Sequence, residues 1–490
     1  VTEHKALHRK LLLFLSFFVL LQPLWDILTS MGAYAGHTIT VGVIIRIFVM
    51  TLLVLYVLFF CQIPHKKIYI MYLAILITYI VCFLVISFAQ SGFSVAIGNL
   101  KETIKVFYFP IILIALYCLY KEYNFEISDR ALTYIAFIYA FIVFFAYITG
   151  TSFTTYKNDV GYKGWFYAGN ELSGILSILG PCAILFSFRL IFTKRVYLWG
   201  HVDWMSKRAI PIIGLLVLAF CSTFIGTKAI FLCILLYLAL LCLSSGIRWI
   251  KQKHRCYRNY AALSLVIGLI ILGLFCVSPL LASLQGRMSY HYEKNVATPT
   301  LTPTASSSMP TPKPTVSSTQ GISEKSDDSN IVENSAFKVV NWLLSQRLTA
   351  ILPTINYFVD SDILTQTFGI GYVSADPENA YIQKAIEMDF ISVLLRHGYL
   401  GCLLFITPLC WFGWRILKYT LYHLRETLTC GTYITYLYSV LWALIQAMLI
   451  GHTLVAPAVS IYVAILFVKL VSFSDNSQKP RVLEETTCAK

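Results

Sequence analysis

Apolar runs of about twenty residues return again and again along this chain, and that is the length a helix needs to cross the hydrocarbon core of a bilayer. Parted by short polar or basic connections, about twelve can be read, at 11–30, 39–61, 68–89, 106–120, 131–148, 172–192, 210–224, 229–243, 260–284, 399–417, 434–450 and 454–473. Those at 106–120, 210–224 and 229–243 are short. A soluble globular chain of 490 residues would not carry 58% hydrophobic and only 13% charged residues. The fold class that follows is all-α: a polytopic integral membrane protein of about 12 transmembrane helices in the lipid bilayer, with a long extracytoplasmic loop late in the chain.

The side on which each connection lies follows from Lys and Arg, which are retained in short cytoplasmic loops. With the N-terminus inside, the inner segments hold Lys5, Arg9 and Lys10; Lys66 and Lys67; Lys121 and Arg130; Lys194, Arg195, Lys207 and Arg208; Arg248, Lys251, Lys253, Arg255 and Arg258; and Arg415, Lys418 and Arg425. The formal net charge of +14 is then mainly a topology signal, and no nucleic acid is expected as a partner. The basic and apolar beginning reads as a retained first helix, because "PLWDILTS" continues it in place of a small-residue cleavage pattern. None of the 13 cysteines falls in the long outer segment between Leu284 and Tyr399, so no disulfide framework is implied. Cys and His spacings do not suit zinc, and neither a metal nor another cofactor is expected.

The organisation is thus nine spans in residues 1–284, an outer loop at 285–398, three spans in 399–473 and an inner tail at 474–490. Within the loop, "TPTLTPTASSSMPTPKPTVSSTQ" is rich in Pro, Ser and Thr, and residues 296–330 read as a disordered insertion that cannot bury enough apolar surface to offset its ordering entropy. Beyond it, "SAFKVVNWLLSQRLTAILPTINYFV" restores helical periodicity, with Val339, Leu343, Leu344, Leu348 and Ile351 near one face. Such a helix either lies on the outer membrane surface, covers a cavity, or simply packs.

Cations on the outer side run against the positive-inside bias, so each asks for a specific reason. They are Lys101 and Lys105 in "NLKETIKVFYFP", one helical turn apart; Lys228 in "STFIGTKAI"; Arg287; Arg347; and Arg396 with His397 in "AIEMDFISVLLRHGYLG". As one helix, residues 210–243 would be about 50 Å long, too long for one span, so Gly226-Thr227-Lys228 must be a break. A lysine at the helix start beyond such a break adds charge where the backbone already favours an anion. Fixed cations at a membrane surface suit a lipid-linked phosphate or pyrophosphate; equally, a lysine such as Lys101 or Lys105 can snorkel to head groups. Asp26 and Arg46 lie at similar depth in the first two spans and read as an ion pair or a substrate contact. Asn170 and Glu171 in "GWFYAGNELSGIL" either cap a helix or bind a polar ligand.

Taken in order, these segments resemble the O-antigen ligase and polymerase family, in its Gram-positive form, over most of the chain. The family's late elements, a "GxG", an acid or histidine segment and a "GxxG", read here as "FGIGY", "IEMD" and "GYLG". Its ligase signature is a histidine, a small polar residue, nine residues and GxxG. In that spacing Glu387 and Met388 take the first two places, Asp389 to His397 the nine, and Gly398 to Gly401 the last, so glutamate stands where the ligases have histidine. The contexts "IGTKA" around Lys228 and "SQRLTAILPTINYF" around Arg347 match places where members carry a basic residue, and "PLWDILTS", "GNELSGIL" and "GHTLVAPAVS" add to the likeness.

The resemblance implies a multi-pass cell-membrane glycosyltransferase with its site on the extracytoplasmic face. It would take a glycan from undecaprenyl pyrophosphate and join it to an acceptor glycan, as a polymerase of repeat units or as a ligase to a wall or protein acceptor. No metal or nucleotide sugar is implied. Glu387 would be the base and Asp389 would orient it or raise its pKa; Lys228 and Arg347 would hold the pyrophosphate, supported by Arg287, Arg396 and His397. Solvated charges at a helix start are the plainer account of Glu387 and Asp389. A transporter should show paired broken helices in two halves, and only the break before Lys228 is seen.

Overall fold

The computed structural model describes residues 2–37, 40–156, 160–192, 202–282, 347–373 and 386–475. The chain divides into two units, Val1–Ala282 with Pro353–Lys490, and Ser283–Leu352, and of the second only residues 347–352 are described. Arg287, the insertion at 296–330, Val339, Leu343, Leu344 and the tail beyond 475 lie outside the described residues.

Sixteen helices follow one another among the described residues: α1 (Thr2–Leu20), α2 (Gln22–Tyr34), α3 (Val41–Leu55, continued by a π-turn at Tyr56–Phe60), α4 (Lys66–Ser91), α5 (Phe93–Tyr123), α6 (Asp129–Ile148), α7 (Gly169–Phe192), α8 (Val202–Phe224), α9 (Lys228–Gln252), α10 (Arg255–Cys276), α11 (Arg347–Asp360), α12 (Ile363–Phe368), α13 (Asp389–Tyr422), α14 (Leu424–Thr429), α15 (Gly431–Leu449) and α16 (Pro457–Asp475). Ten are long and apolar enough to span a bilayer; α1 and α2, bent by 57° at Leu21 ahead of Pro23, make an eleventh if taken as one, and the apolar part of α8, Arg208–Phe224, is shorter. Each of the runs expected from sequence falls on one of these. The chain is an all-α polytopic membrane protein.

Two helices extend well beyond their expected runs. The run at 106–120 is the second half of the 31-residue α5, whose first half carries Lys101, Glu102 and Lys105. The run at 399–417 belongs to the 34-residue α13, which starts ten residues earlier, at Asp389, and is broken inside by a non-helical Gly398 at φ 65°. In both cases charged side chains lower the local hydropathy, yet packing against neighbours holds the backbone helical.

Three helices form the centre. The apolar windows of α5, α7 and α16 are 89%, 72% and 83% buried, against 17% to 44% for the other spans, and α16 packs on both α5 and α7. Lys101 and Lys121 stand about 30 Å apart along α5 at 1.5 Å per residue, the thickness of the hydrocarbon core, so the two ends of α5 reach opposite interfaces. At the Lys121 end the charges are mutually satisfied: Asp475 accepts from Lys121 (2.9 Å) and Arg415, and buried Lys469 donates to Asp129 (2.9 Å), which also accepts from the Tyr436 hydroxyl.

Candidate active site

At the Lys101 end a cavity of about 890 Å³ lies among α2, α3, α5, α6, α7, α13 and the connection 451–456. That is a volume suited to a drug-sized or larger ligand. All of its lining comes from the first unit, and cations (Arg46, Lys101, Lys105, Arg396) outnumber carboxylates (Asp26, Glu102, Glu171).

The bend between α1 and α2 turns Asp26 towards Arg46 of α3. Arg46 donates from Nε (3.1 Å) and Nη2 (2.7 Å) to the Gln22 side-chain oxygen and from Nη2 to Asp26, whose other oxygen accepts from Tyr139. The pair is both an internal ion pair and part of the cavity wall. On α5, Lys105 Nζ donates to Glu102 at 2.8 Å, with both side chains about one third exposed. Glu171 sits in the first turn of α7 and faces the cavity; among the described residues nothing donates a hydrogen bond to its carboxylate, and the charges close enough to act on it are His452, Asp26, Arg46 and Lys105.

Arg396 is delivered by the break in α13. Gly398 ends the helical pattern, which releases carbonyls just before it, and "FGIGY" lies on them: Ile370 N donates to Leu395 O (3.0 Å) and Gly371 N to Arg396 O (3.1 Å). Such contact explains the glycine, since a Cβ on Gly369 would come within 2.2 Å of the Arg396 carbonyl oxygen, at φ +94°. The buried Arg396 guanidinium donates from Nη1 to Gly371 O at 2.8 Å and stacks on the Tyr372 ring, 5.4 Å away. Desolvation pushes the Tyr372 phenol well above its ordinary range, with Arg396 pulling the other way. His397 points back into the fold, where Tyr79 and Tyr372 hydroxyls approach its two ring nitrogens at 3.3 and 3.2 Å and Phe83 and Phe107 flank it.

Asp389 is also behind the wall. Its Oδ1 accepts from His452 N (2.6 Å) and its Oδ2 from Thr453 N (2.9 Å) and Leu454 N (2.7 Å), so the first turn of α13 grips the connection that carries His452 and Val455 into the cavity. Glu387, half-buried, follows Ile386, which does line the cavity; its backbone runs so close to Gly451 that a Cβ there would overlap the Glu387 carbonyl oxygen.

Of the residues singled out from sequence, the cavity gathers Asp26, Arg46, Lys101, Lys105, Glu171 and Arg396, and Asn170 stands beside Glu171 at the start of α7. Lys228 is half-buried at the first position of α9, after Gly226 at φ +81°. That break is held by the 151–168 connection, through Tyr162 N to Phe224 O (2.9 Å) and the Thr155 hydroxyl to Ile225 O (2.8 Å), and by the Thr227 hydroxyl to Ser173 (2.6 Å). Arg347 starts α11 in the second unit. Sequence reasoning passed over His37, His452, Tyr108 and Tyr167. One signal was available: polar residues inside apolar spans demand partners. Indeed the Tyr108 hydroxyl and the Thr40 hydroxyl, both on the cavity wall, are buried without a hydrogen-bond partner among the described residues, a deficit that a polar occupant of the cavity would relieve. Among the described residues, no group of three or more His, Cys, Asp or Glu is placed to hold a metal ion.

No curated protein and no solved structure matches the chain. The family model described as O-antigen ligase like membrane protein matches residues 8–473, a stretch that takes in every residue of the cavity. The chain, all-α and polytopic, therefore belongs to the O-antigen ligase-like membrane protein family.

Proposed function

We propose that the protein is a membrane glycosyltransferase whose cavity holds the pyrophosphate and first sugar of an undecaprenyl-pyrophosphate-linked glycan and transfers that glycan to an acceptor sugar, as a polymerase of repeat units. The observation that carries this reading is the cavity itself: Lys101, Lys105, Arg46 and Arg396 line one space with a carboxylate, Glu171, to which no donor among the described residues bonds.

The acceptor hydroxyl attacks the anomeric carbon, a new C–O bond forms as the bond to the pyrophosphate oxygen breaks, and the pyrophosphate leaves with the electron pair. Cations at its oxygens stabilise the charge that develops there, and a carboxylate takes the hydroxyl proton. We assign that role to Glu171, which lines the cavity beside these cations. Glu387 is the second reading, supported by its place in the family spacing and by its neighbour Ile386 on the cavity wall. The basic residues of 248–258 and 415–425 favour the cytoplasmic side for their connections, as does Lys121 for its end of α5, which leaves the cavity end extracytoplasmic.

Binding of undecaprenyl pyrophosphate to the purified protein in lipid nanodiscs tests the cation assignment. Lys105→Gln together with Lys101→Gln is expected to weaken it about tenfold or more, with a steeper loss at high salt in the wild type than in the variant. Unchanged affinity in the double variant would remove the pyrophosphate from this cavity.

A further inference from the structure

The connection between α6 and α7 is a built structure. Phe153 N donates to Gly164 O (2.8 Å), Lys163 N to Phe153 O (3.0 Å) and Thr155 N to Gly161 O (2.9 Å), which pairs residues 153–156 with 160–164 as the two antiparallel arms of a short hairpin, with a bridge at Thr154 and Tyr162. The hairpin presents a cluster of open rings. Tyr34, at the end of α2, packs on Phe153 (centroids 4.3 Å) and on Tyr167 (5.5 Å), while the three remain 49%, 39% and 54% exposed. Lys163 Nζ lies 6.0 and 5.9 Å from the Tyr34 and Tyr167 rings and donates to Tyr167 O at 2.7 Å. Tyr167 also lines the cavity, four residues ahead of Glu171.

We propose that Tyr34, Phe153, Tyr167 and Lys163 form a sugar-binding platform at the cavity mouth that holds the acceptor glycan. The proposal rests on the reading of the cavity as the donor site. A donor of that kind is held at its reacting end by its pyrophosphate, whereas the acceptor's reacting end is a sugar hydroxyl and must be positioned through its sugar rings. A pyranose presents a face of C–H bonds edged by hydroxyls. Aromatic faces carry negative quadrupole density that attracts such C–H groups, and the Lys163 ammonium, with donors left beyond its bond to Tyr167 O, suits the hydroxyl edge. Rings that merely anchor a protein at the membrane interface need no mutual stacking and no hydrogen-bonded hairpin beneath them. Here the stacking, the hairpin and the continuity with the cavity through Tyr167 occur together, and they place a bound sugar next to Glu171.

The test uses the full-length protein in nanodiscs and saturation-transfer NMR with methyl β-glucopyranoside, methyl β-galactopyranoside and methyl β-N-acetylglucosaminide. At least one should receive saturation, strongest at ring C–H protons. Tyr34→Ala with Phe153→Ala should reduce it roughly fivefold or more, while Tyr34→Phe retains it. Undecaprenyl pyrophosphate binding, measured on the same samples, should be unchanged in all of them and so reports folding. No transfer to any of the sugars in the wild type, or equal transfer in the double alanine variant, overturns the platform and leaves the donor cavity standing. Failure of the wild type to bind undecaprenyl pyrophosphate overturns the donor reading instead.

Discussion

Asp389→Asn separates a carboxylate that holds a loop from one that does chemistry. The native carboxylate takes three backbone N–H bonds of 2.6 to 2.9 Å while only 1% exposed. An asparagine keeps one oxygen, which can still accept from Thr453 and Leu454, but its NH₂ then meets the His452 N–H. One charge-assisted bond is lost and the part-buried His452 N–H is left facing a second donor, together on the order of 3 kcal/mol. Since 1.4 kcal/mol is a factor of ten, opening of the connection around 452–454 should be about a hundredfold more frequent. Hydrogen exchange read by mass spectrometry on peptides covering 450–458 measures this directly: exchange there should accelerate by that order, with peptides from α5 unchanged. Exchange at 452–454 equal to wild type would refute the role of Asp389 as the grip on this loop.

Gly398→Ala should lower thermal stability clearly, because the residue is at φ +65° and a Cβ would lie 2.3 Å from Thr367 O, whereas Gly413→Ala, with nothing within 4 Å, should be neutral or stabilising by up to about 1 kcal/mol in thermal unfolding of the nanodisc-held protein. Arg46→Gln strands the half-buried Asp26 and should destabilise by about 3 kcal/mol, and Asp26→Asn in the same chain should recover part of that loss; no recovery would mean that Gln22 and Tyr139, not the charge, account for the effect. With the native cysteines replaced, an impermeant thiol reagent should label Thr151→Cys in intact cells and Lys253→Cys only after permeabilisation; the reverse pattern would invert the orientation.

What the sequence disclosed was the set of apolar runs and the punctuation between them. The break before Lys228 was expected from length, because an apolar run of about 50 Å far exceeds the hydrocarbon core that one span must cross. The cavity did not follow. Its wall joins Asp26 to Arg46 through a bend at Leu21, and brings Lys105 and His452 near Glu171 from segments distant in sequence, and no local periodicity records such approaches. Asp389 could be seen as one of two nearby carboxylates, but its work is done on backbone N–H groups more than sixty residues further along. The first halves of α5 and α13 were hidden for another reason: Lys101, Glu102 and Lys105 in one, Asp389, Arg396 and His397 in the other, dilute the apolar signal just where each helix reaches the site or the segments that hold it.

Turnover bears most directly on the cavity as the place of reaction. Lipid-linked glycan extracted from a strain lacking the protein is supplied to the purified enzyme in nanodiscs, and release of undecaprenyl pyrophosphate is followed for the wild type, Glu171→Gln and Glu387→Gln. With Glu171 as base, Glu171→Gln should lose on the order of a hundredfold or more in kcat while donor affinity stays within a few fold. A large loss confined to Glu387→Gln would move the base to the neighbouring segment, and near-normal turnover by both variants would contradict carboxylate-assisted transfer in this cavity.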